Sequence, residues 1–246
     1  MILLVGVLAL TGTILYRIES RVSVPILAYH RINNTLDPMT VKPEDFETQL
    51  QYLQNEGYTS VTLDEAIAFM QGTGTLPPKP IVITFDDGYE DNQRIAVPIL
   101  RKYGFKAIIF VITDNIGKPD YLTWQQLKTV QERAISIGSH TMTHADLAKL
   151  QSAEIAQEVR NSKESLEKGL GTAADFIAYP YGSYNQRVVN TLLETGYKGA
   201  CSGKVGINIR GGDIYALRRI YISPPHLGLL EFKLRLWRAQ LVSVFS

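Results

Sequence analysis

The chain has 246 residues, of which 45% are hydrophobic and 20% charged, so a sizeable core can form and wholesale disorder is excluded. Twenty-five Lys and Arg against 24 Asp and Glu leave a net charge of +1, without the basic excess of a nucleic-acid binder. A single cysteine, Cys201, excludes an internal disulfide framework and any CxxC zinc site. A metal site would draw on carboxylates and on four histidines, His30, His140, His144 and His226.

Residues 2–16 are apolar, with no charge before Arg17. The run is short of the ~20 residues of a spanning helix. It reads as an N-terminal membrane anchor or signal segment over residues 1–20, with a buried helix as the other reading. No Ala-x-Ala-like cleavage site follows, which favours an uncleaved anchor. Arg17 and Arg21 follow the run and no Lys or Arg precedes it, a weak signal for a body on the cytoplasmic side.

From residue 21 to 223 the pattern is globular. Residues 24–29 predict a short buried strand running into His30. Phe46, Leu50 and Leu53 share one face of a helix over 43–58, and Thr62 caps the next helix. A Pro-rich link at 76–80 leads to a buried strand at 81–85, which ends in Asp86-Asp87-Gly88. There follow a helix over 95–103, a strand over 107–111, a helix from 123 and a strand over 135–138. Residues 153–169 predict a long helix, 176–180 a strand, 187–196 a helix, and 197–201 and 217–222 the last strands. Within 224–246, residues 229–238 form a basic amphipathic helix, packed on the body or laid on a membrane surface.

Strands alternate with helices almost throughout, which argues for parallel βαβ units in an α/β fold, either a doubly wound sheet or a barrel. No GxGxxG or GxxxxGK[ST] is present, so a nucleotide has no phosphate loop. The strands end in polar residues: His30, Asp86-Asp87, His140, Tyr181 and Arg219. Catalytic groups of barrel folds sit at that rim.

Two adjacent carboxylates at a strand end repel, and a cleft that holds both needs a cation or a proton shared between them. An Asp-Gly turn is the plainer reading of Asp86-Asp87-Gly88 alone. His140 and His144, four residues apart after a strand, shift the balance, because two such imidazoles can meet one ion. No Glu follows the first His, so an HExxH protease helix is excluded. One Asp and two His make three ligands with open positions, as in a catalytic metal site. The other Asp is then free to act as a base.

Thr84-Phe85-Asp86-Asp87-Gly88, the run Ser139-His140-Thr141-Met142-Thr143-His144, and Tyr179-Pro180-Tyr181-Gly182 occur in that order. Together they resemble the first three motifs of the polysaccharide deacetylases, the NodB-homology or carbohydrate esterase family 4 enzymes. The opening Pro25-Ile26-Leu27-Ala28-Tyr29-His30 is similar to the poly-N-acetylglucosamine deacetylase branch. The resemblance spans roughly residues 24 to 223. It implies a distorted (β/α) barrel of about seven parallel strands. It also implies Asp86 as general base, with Asp87, His140 and His144 holding one divalent ion (zinc first; cobalt, nickel or iron as alternatives). Pro180 and Tyr181 would contact substrate, the Tyr181 N–H helping to hold an oxyanion. The implied reaction removes N-acetyl groups from an N-acetylglucosamine polysaccharide at the cell envelope or outside the cell. O-acetyl esterase and non-catalytic carbohydrate binder are the rival readings.

The chain departs from the family pattern at three points. The third motif usually carries an Arg that orients the base, where this chain has Ala178; Arg219 is the expected substitute. The Asp-Trp fourth motif is not recognisable. The Leu-x-His fifth motif, source of the usual general acid, is missing, leaving His30 and, less well placed, His226 as candidates. Trp124 reads as core rather than as a sugar platform, and Cys201 as a buried strand residue.

Overall fold

The computed structural model describes residues 23–131 and 135–244; the expected anchor over 1–20 lies outside the described residues. Strand β1 (Ile26–Tyr29) starts the barrel. The chain then leaves it through paired short strands β2 (Arg31–Ile32) and β3 (Thr40–Val41), helix α1 (Pro43–Asn55), strand β4 (Thr59–Ser60) and helix α2 (Leu63–Met70). It returns as β5 (Pro80–Phe85) and alternates regularly through α3 (Val97–Lys102), β6 (Ala107–Val111), α4 (Trp124–Gln131), β7 (Ile135–Ser139), α5 (Ser152–Leu170), β8 (Phe176–Ala178), α6 (Gln186–Glu194) and β9 (Gly199–Val205). A helix-free connection leads to β10 (Leu217–Tyr221), and α7 (Leu229–Val244) ends the described chain.

Seven parallel strands close the barrel. The ring runs β1-β5-β6-β7-β8-β9-β10 and shuts because β1 pairs with both β5 and β10. Strand β4 adds only to the outer edge of β5, at Thr59↔Pro80 and Ser60↔Ile81. Of the two architectures left open by the alternation, the barrel is the one formed.

Side-chain alternation divides the core in two. Ile26, Val82, Ile108, Phe110, Phe176, Cys201 and Leu217 cluster inside the ring with Ala66, Ile67 and Met70 of α2, which stoppers the end where the strands begin. A reciprocal capping box, Thr62 with Glu65, starts that helix and contributes about 1 kcal/mol. Leu27, Tyr29, Ile83, Phe85 and Ile109 point outward and pack under the surrounding helices. Toward the strands' C-terminal ends the interior turns polar, with Thr84, Asp86, His140 and Arg219 all buried. That change of lining positions the site.

Helix formation before α3 begins earlier than the sequence predicted. Residues Asn92–Ala96 form a π-turn that runs into α3. Pro98 has no N–H to give to the preceding turn, which widens instead. Trp124 starts α4 and lies against Gly169, where any Cβ would collide with its ring. It is a packing residue.

Candidate active site

Parallel register sets the first part of the site. Tyr29 pairs with Phe85, so the next residues, His30 and Asp86, stand side by side at the rim. Asp86 continues the inward face of Val82 and Thr84. The chain then turns through two left-handed residues, Asp87 at φ 73° and Gly88 at φ 78°. Asp tolerates that conformation better than most side chains. Gly88 is required, because a Cβ there would lie 2.7 Å from Val111 Cγ1. The turn therefore presents two successive carboxylates in different directions, Asp86 into the barrel and Asp87 toward the histidines.

The histidine loop leaves β7. His140 N–H donates to Val111 O at 2.8 Å, and its ring Nδ1 lies 2.7 Å from Ala178 O. A proton on Nδ1 makes that bond and leaves the Nε2 lone pair free. Nε2 lies 3.5 Å from Asp87 Oδ1, and His144 Nε2 lies 3.6 Å from the same oxygen. One donor atom from each of the three residues falls within 4.8 Å of the others. Ligands about 2.0–2.1 Å from a tetrahedral zinc stand roughly 3.4 Å apart, so this donor set fits such an ion after small adjustments. Burial and His140 lower the pKa of His144 against the pull of the Asp87 carboxylate, which favours the neutral imidazole a metal needs.

Glu158 on α5 fixes the loop between the two histidines. Its carboxylate accepts from Met142 N at 3.0 Å, Thr143 N at 2.9 Å and Thr143 Oγ1 at 2.6 Å. Thr141 Oγ1 accepts from His144 N at 3.1 Å. Thr141 and His144 both hold positive φ, at 65° and 66°. Such strained backbone persists only where neighbouring bonds over-determine it, and here the Glu158 clamp supplies them.

Asp86 is bound on its other side. Arg219 Nη1 donates to Asp86 Oδ1 at 2.7 Å and reaches Thr84 Oγ1 at 3.3 Å, while Nε donates to Ser202 O at 3.3 Å. Burial pushes the Asp86 carboxyl up, but the Arg219 guanidinium outweighs it and holds Asp86 well below the usual carboxylate range. His30 Nε2 lies 4.0 Å from Asp86 Oδ2, and its Nδ1 is buried with no partner among the described residues. Burial lowers the His30 pKa more than the two aspartates raise it, so the ring is neutral. Asn92 Nδ2 donates to His30 O at 2.7 Å and fixes the strand end.

These groups line an open cleft of about 270 Å³. Tyr181, 74% exposed, forms one wall, its ring centroid 4.8 Å from that of His144. It too holds positive φ, 58°, followed by Gly182 at 67°, whose Cβ would collide with Gly203. Pro180 is buried beneath this turn and shapes it without lining the cleft. His226 is exposed at the approach to α7, its N–H donating to Glu231, and lies outside the cleft. Sequence reasoning brought His30, Asp86, Asp87, His140, His144, Tyr181 and Arg219 together. It missed Glu158, Ser202, Met39 and Tyr221. Glu158 did leave a signal, a carboxylate on the face of α5 that also carries Ile155, Val159 and Ser162.

A sequence model of the polysaccharide deacetylase family matches residues 73–200. The chain belongs to that family. YxkH of Bacillus subtilis, named for a polysaccharide deacetylase, is 35% identical over 206 residues, covering 84% of this chain and 74% of its own. The poly-β-1,6-N-acetyl-D-glucosamine N-deacetylase of Staphylococcus aureus is 27% identical over 198 residues, 75% of this chain and 68% of its own. Among solved structures, the Streptococcus pyogenes deacetylase PplD in complex with acetate superposes with a TM-score of 0.81 at 30% identity, covering 88% of this chain and 99% of its own.

Proposed function

We propose that this polysaccharide deacetylase is a metal-dependent amidohydrolase that releases acetate from N-acetylglucosamine residues of a glycan. The observation that carries the reading is the division of labour at Asp86 and Asp87: one carboxylate joins two imidazoles, the other is held ionised by Arg219 and faces the same cleft. Among relatives, the S. aureus protein is named for N-deacetylation of poly-β-1,6-N-acetyl-D-glucosamine, and PplD was solved with acetate.

Asp87, His140 and His144 would hold the ion. Bound there, a divalent metal polarises the acetamide carbonyl and lowers the pKa of water. Asp86 takes the proton from the attacking water, and Arg219 keeps it ionised and aimed until then. The N–H of Tyr181 donates to the oxygen that becomes negative in the tetrahedral species. The C–N bond then breaks and the amine needs a proton. His30, beside Asp86, is the imidazole placed to pass that proton to the leaving nitrogen. Residues 1–20 would tether the barrel to the cell envelope, on its outer side, where such glycans lie. Among the described residues no helix is long and apolar enough to cross a membrane.

The full chain, loaded with zinc, cobalt or nickel, is tested on β-1,6-linked N-acetylglucosamine oligomers for both acetate and free amine. Equal release of the two, lost in Asp86→Asn with the metal retained, supports the reading. Acetate from acetylated glycans without new amine makes the enzyme an O-esterase. Glycan binding with no acetate makes it a binder, and either result overturns the proposal.

A further inference from the structure

Helix α7 carries two apolar faces. Leu229, Phe232, Leu236 and Ala239 pack against the outer layer of the barrel. Leu230, Leu234 and Trp237 point the other way, 57%, 47% and 54% exposed, and Leu227 just ahead of the helix is also exposed. Their spacing of three, four and three residues puts them on one stripe, which half-buried Leu241 continues. A helix packed by one face normally turns charged and polar groups to solvent on the other. Here the outer face has an apolar ridge with exposed cations on both flanks, Arg238 on one side and on the other Lys233, whose ammonium also lies 4.5 Å from the Tyr52 ring centroid. Glu231, the acidic residue of the helix, is ion-paired to Arg235 and accepts from His226 N. Arg235 also donates to Tyr221 O at 2.8 Å and Ser223 Oγ at 2.6 Å, pinning α7 to the end of β10.

The chemistry of the stripe selects its occupant. A second copy of α7 would find only four large side chains, against the roughly 20–30 residues per side of a stable interface. A glycan strand asks for hydrogen-bonding groups, which leucines do not supply. A bilayer surface takes all the features together: a leucine ridge for the acyl boundary, a Trp at headgroup depth, and flanking cations for anionic headgroups. The apolar run at 2–16 is a second apolar segment of the same chain, separate in sequence from this stripe.

We propose that the Leu227-Leu230-Leu234-Trp237 stripe of α7, flanked by Lys233 and Arg238, docks the barrel on an anionic lipid surface. Docking there orients the cleft. A groove lined by Leu234 and Arg238 reaches Val205 and Tyr221, which also line the cleft. The mouth of the cleft is thereby held beside the headgroups, to one side of the docking face.

Trp237 is the reporter on this face, because Trp124, the other tryptophan, is half-buried against Gly169 of α5 and away from the stripe. The full chain is reconstituted with vesicles of phosphatidylcholine and phosphatidylglycerol bearing brominated acyl chains, and tryptophan quenching is read. Quenching is expected in wild type, lost in Trp237→Phe, and reduced several-fold both in Leu230→Lys/Leu234→Lys and in vesicles of phosphatidylcholine alone. These exposed substitutions leave the far-UV circular dichroism and acetate release from soluble oligomers unchanged. Unquenched Trp237 in a chain that still sediments with the vesicles overturns the proposal, since residues 1–20 then account for all binding. A dimer in sedimentation velocity that Leu234→Lys dissolves, without lipid quenching, assigns the stripe to a second copy and overturns it as well.

Discussion

Arg219 reaches Asp86 from two strands away, with Nη1 2.7 Å from Oδ1 inside the barrel. Through β1, Tyr221 is level with Thr84, so Arg219 starts two residues lower and its side chain climbs past the Thr84 hydroxyl to the rim. Only a long, forked cation can meet Asp86, Thr84 and Ser202 O together. Both members of the pair are buried, so removing one leaves an uncompensated charge. Arg219→Ala should cost about 3–5 kcal/mol in urea unfolding. Arg219→Lys should retain more stability while losing activity, since an ammonium cannot hold all three partners. Asp86→Asn with Arg219→Met should lose less stability than the two single changes added together, while remaining inactive. Additive losses would show that the pair is not coupled.

His30 predicts a dependence on the leaving group. General acid–base assistance is worth roughly 10²–10⁴ in rate where the departing atom is basic. An amine needs a proton to leave; an aryloxide does not. His30→Ala should therefore slow amide hydrolysis by about 10²-fold or more, with less than a tenfold effect on an aryl acetate. Steady-state rates on the two substrates decide it. An equal loss on both would mean that His30 only supports Asp86.

Much of this site was legible in the sequence because local rules carried it. Strand periodicity put Asp86 and His140 at C-terminal ends, and the Asp-Gly pair marked a turn. The substitution of Arg219 for the Arg missing at Ala178 could be guessed, since a buried base needs a cation from some strand. Other features depend on what lies across the fold. Glu158 is separated from Thr143 by 15 residues, and nothing in the α5 sequence names its partner. The pairing of β1 with β5 skips about 50 residues of chain, so the sequence put His30 and Asp86 on one rim but did not show that they are neighbours on it. His226 looked close to the right point along the chain, but two prolines carry it out to the foot of α7.

Cys201 gives a pH signature. It faces the barrel interior and is fully buried, and burial, reinforced by Asp86 and opposed by Arg219, pushes its thiol up to about 12. A thiol raised in the folded state contributes stability that is complete below its unfolded pKa, near 8.5, and is lost as pH rises toward the folded value. Between about pH 9 and 11, wild type should lose roughly 1.4 kcal/mol per pH unit more than Cys201→Ala. Urea midpoints across that range measure the difference. At pH 8 the native chain should not react with a thiol reagent, and one thiol should appear on denaturation. Rapid native labelling would show that the barrel interior opens.

Glu158 predicts how metal affinity is set without a ligand being touched. Its carboxylate takes three hydrogen bonds from the Met142-Thr143 turn, and that turn sets the direction of His144. Glu158→Ala orphans two backbone donors in a half-buried loop, so His144 loses its preset orientation. Support of this kind around a metal ligand is typically worth about 10–100-fold in metal affinity. Glu158→Gln keeps one oxygen for the two backbone N–H groups, and its amide can donate to the Thr143 hydroxyl, so it should restore most of the affinity. Zinc titration by calorimetry and the visible spectrum of the cobalt form read the effect directly. Chelator treatment should lower the unfolding temperature of wild type and leave that of His144→Ala almost unmoved. If Glu158→Ala binds zinc as tightly as wild type, the clamp serves folding alone and the histidine loop holds its shape unaided.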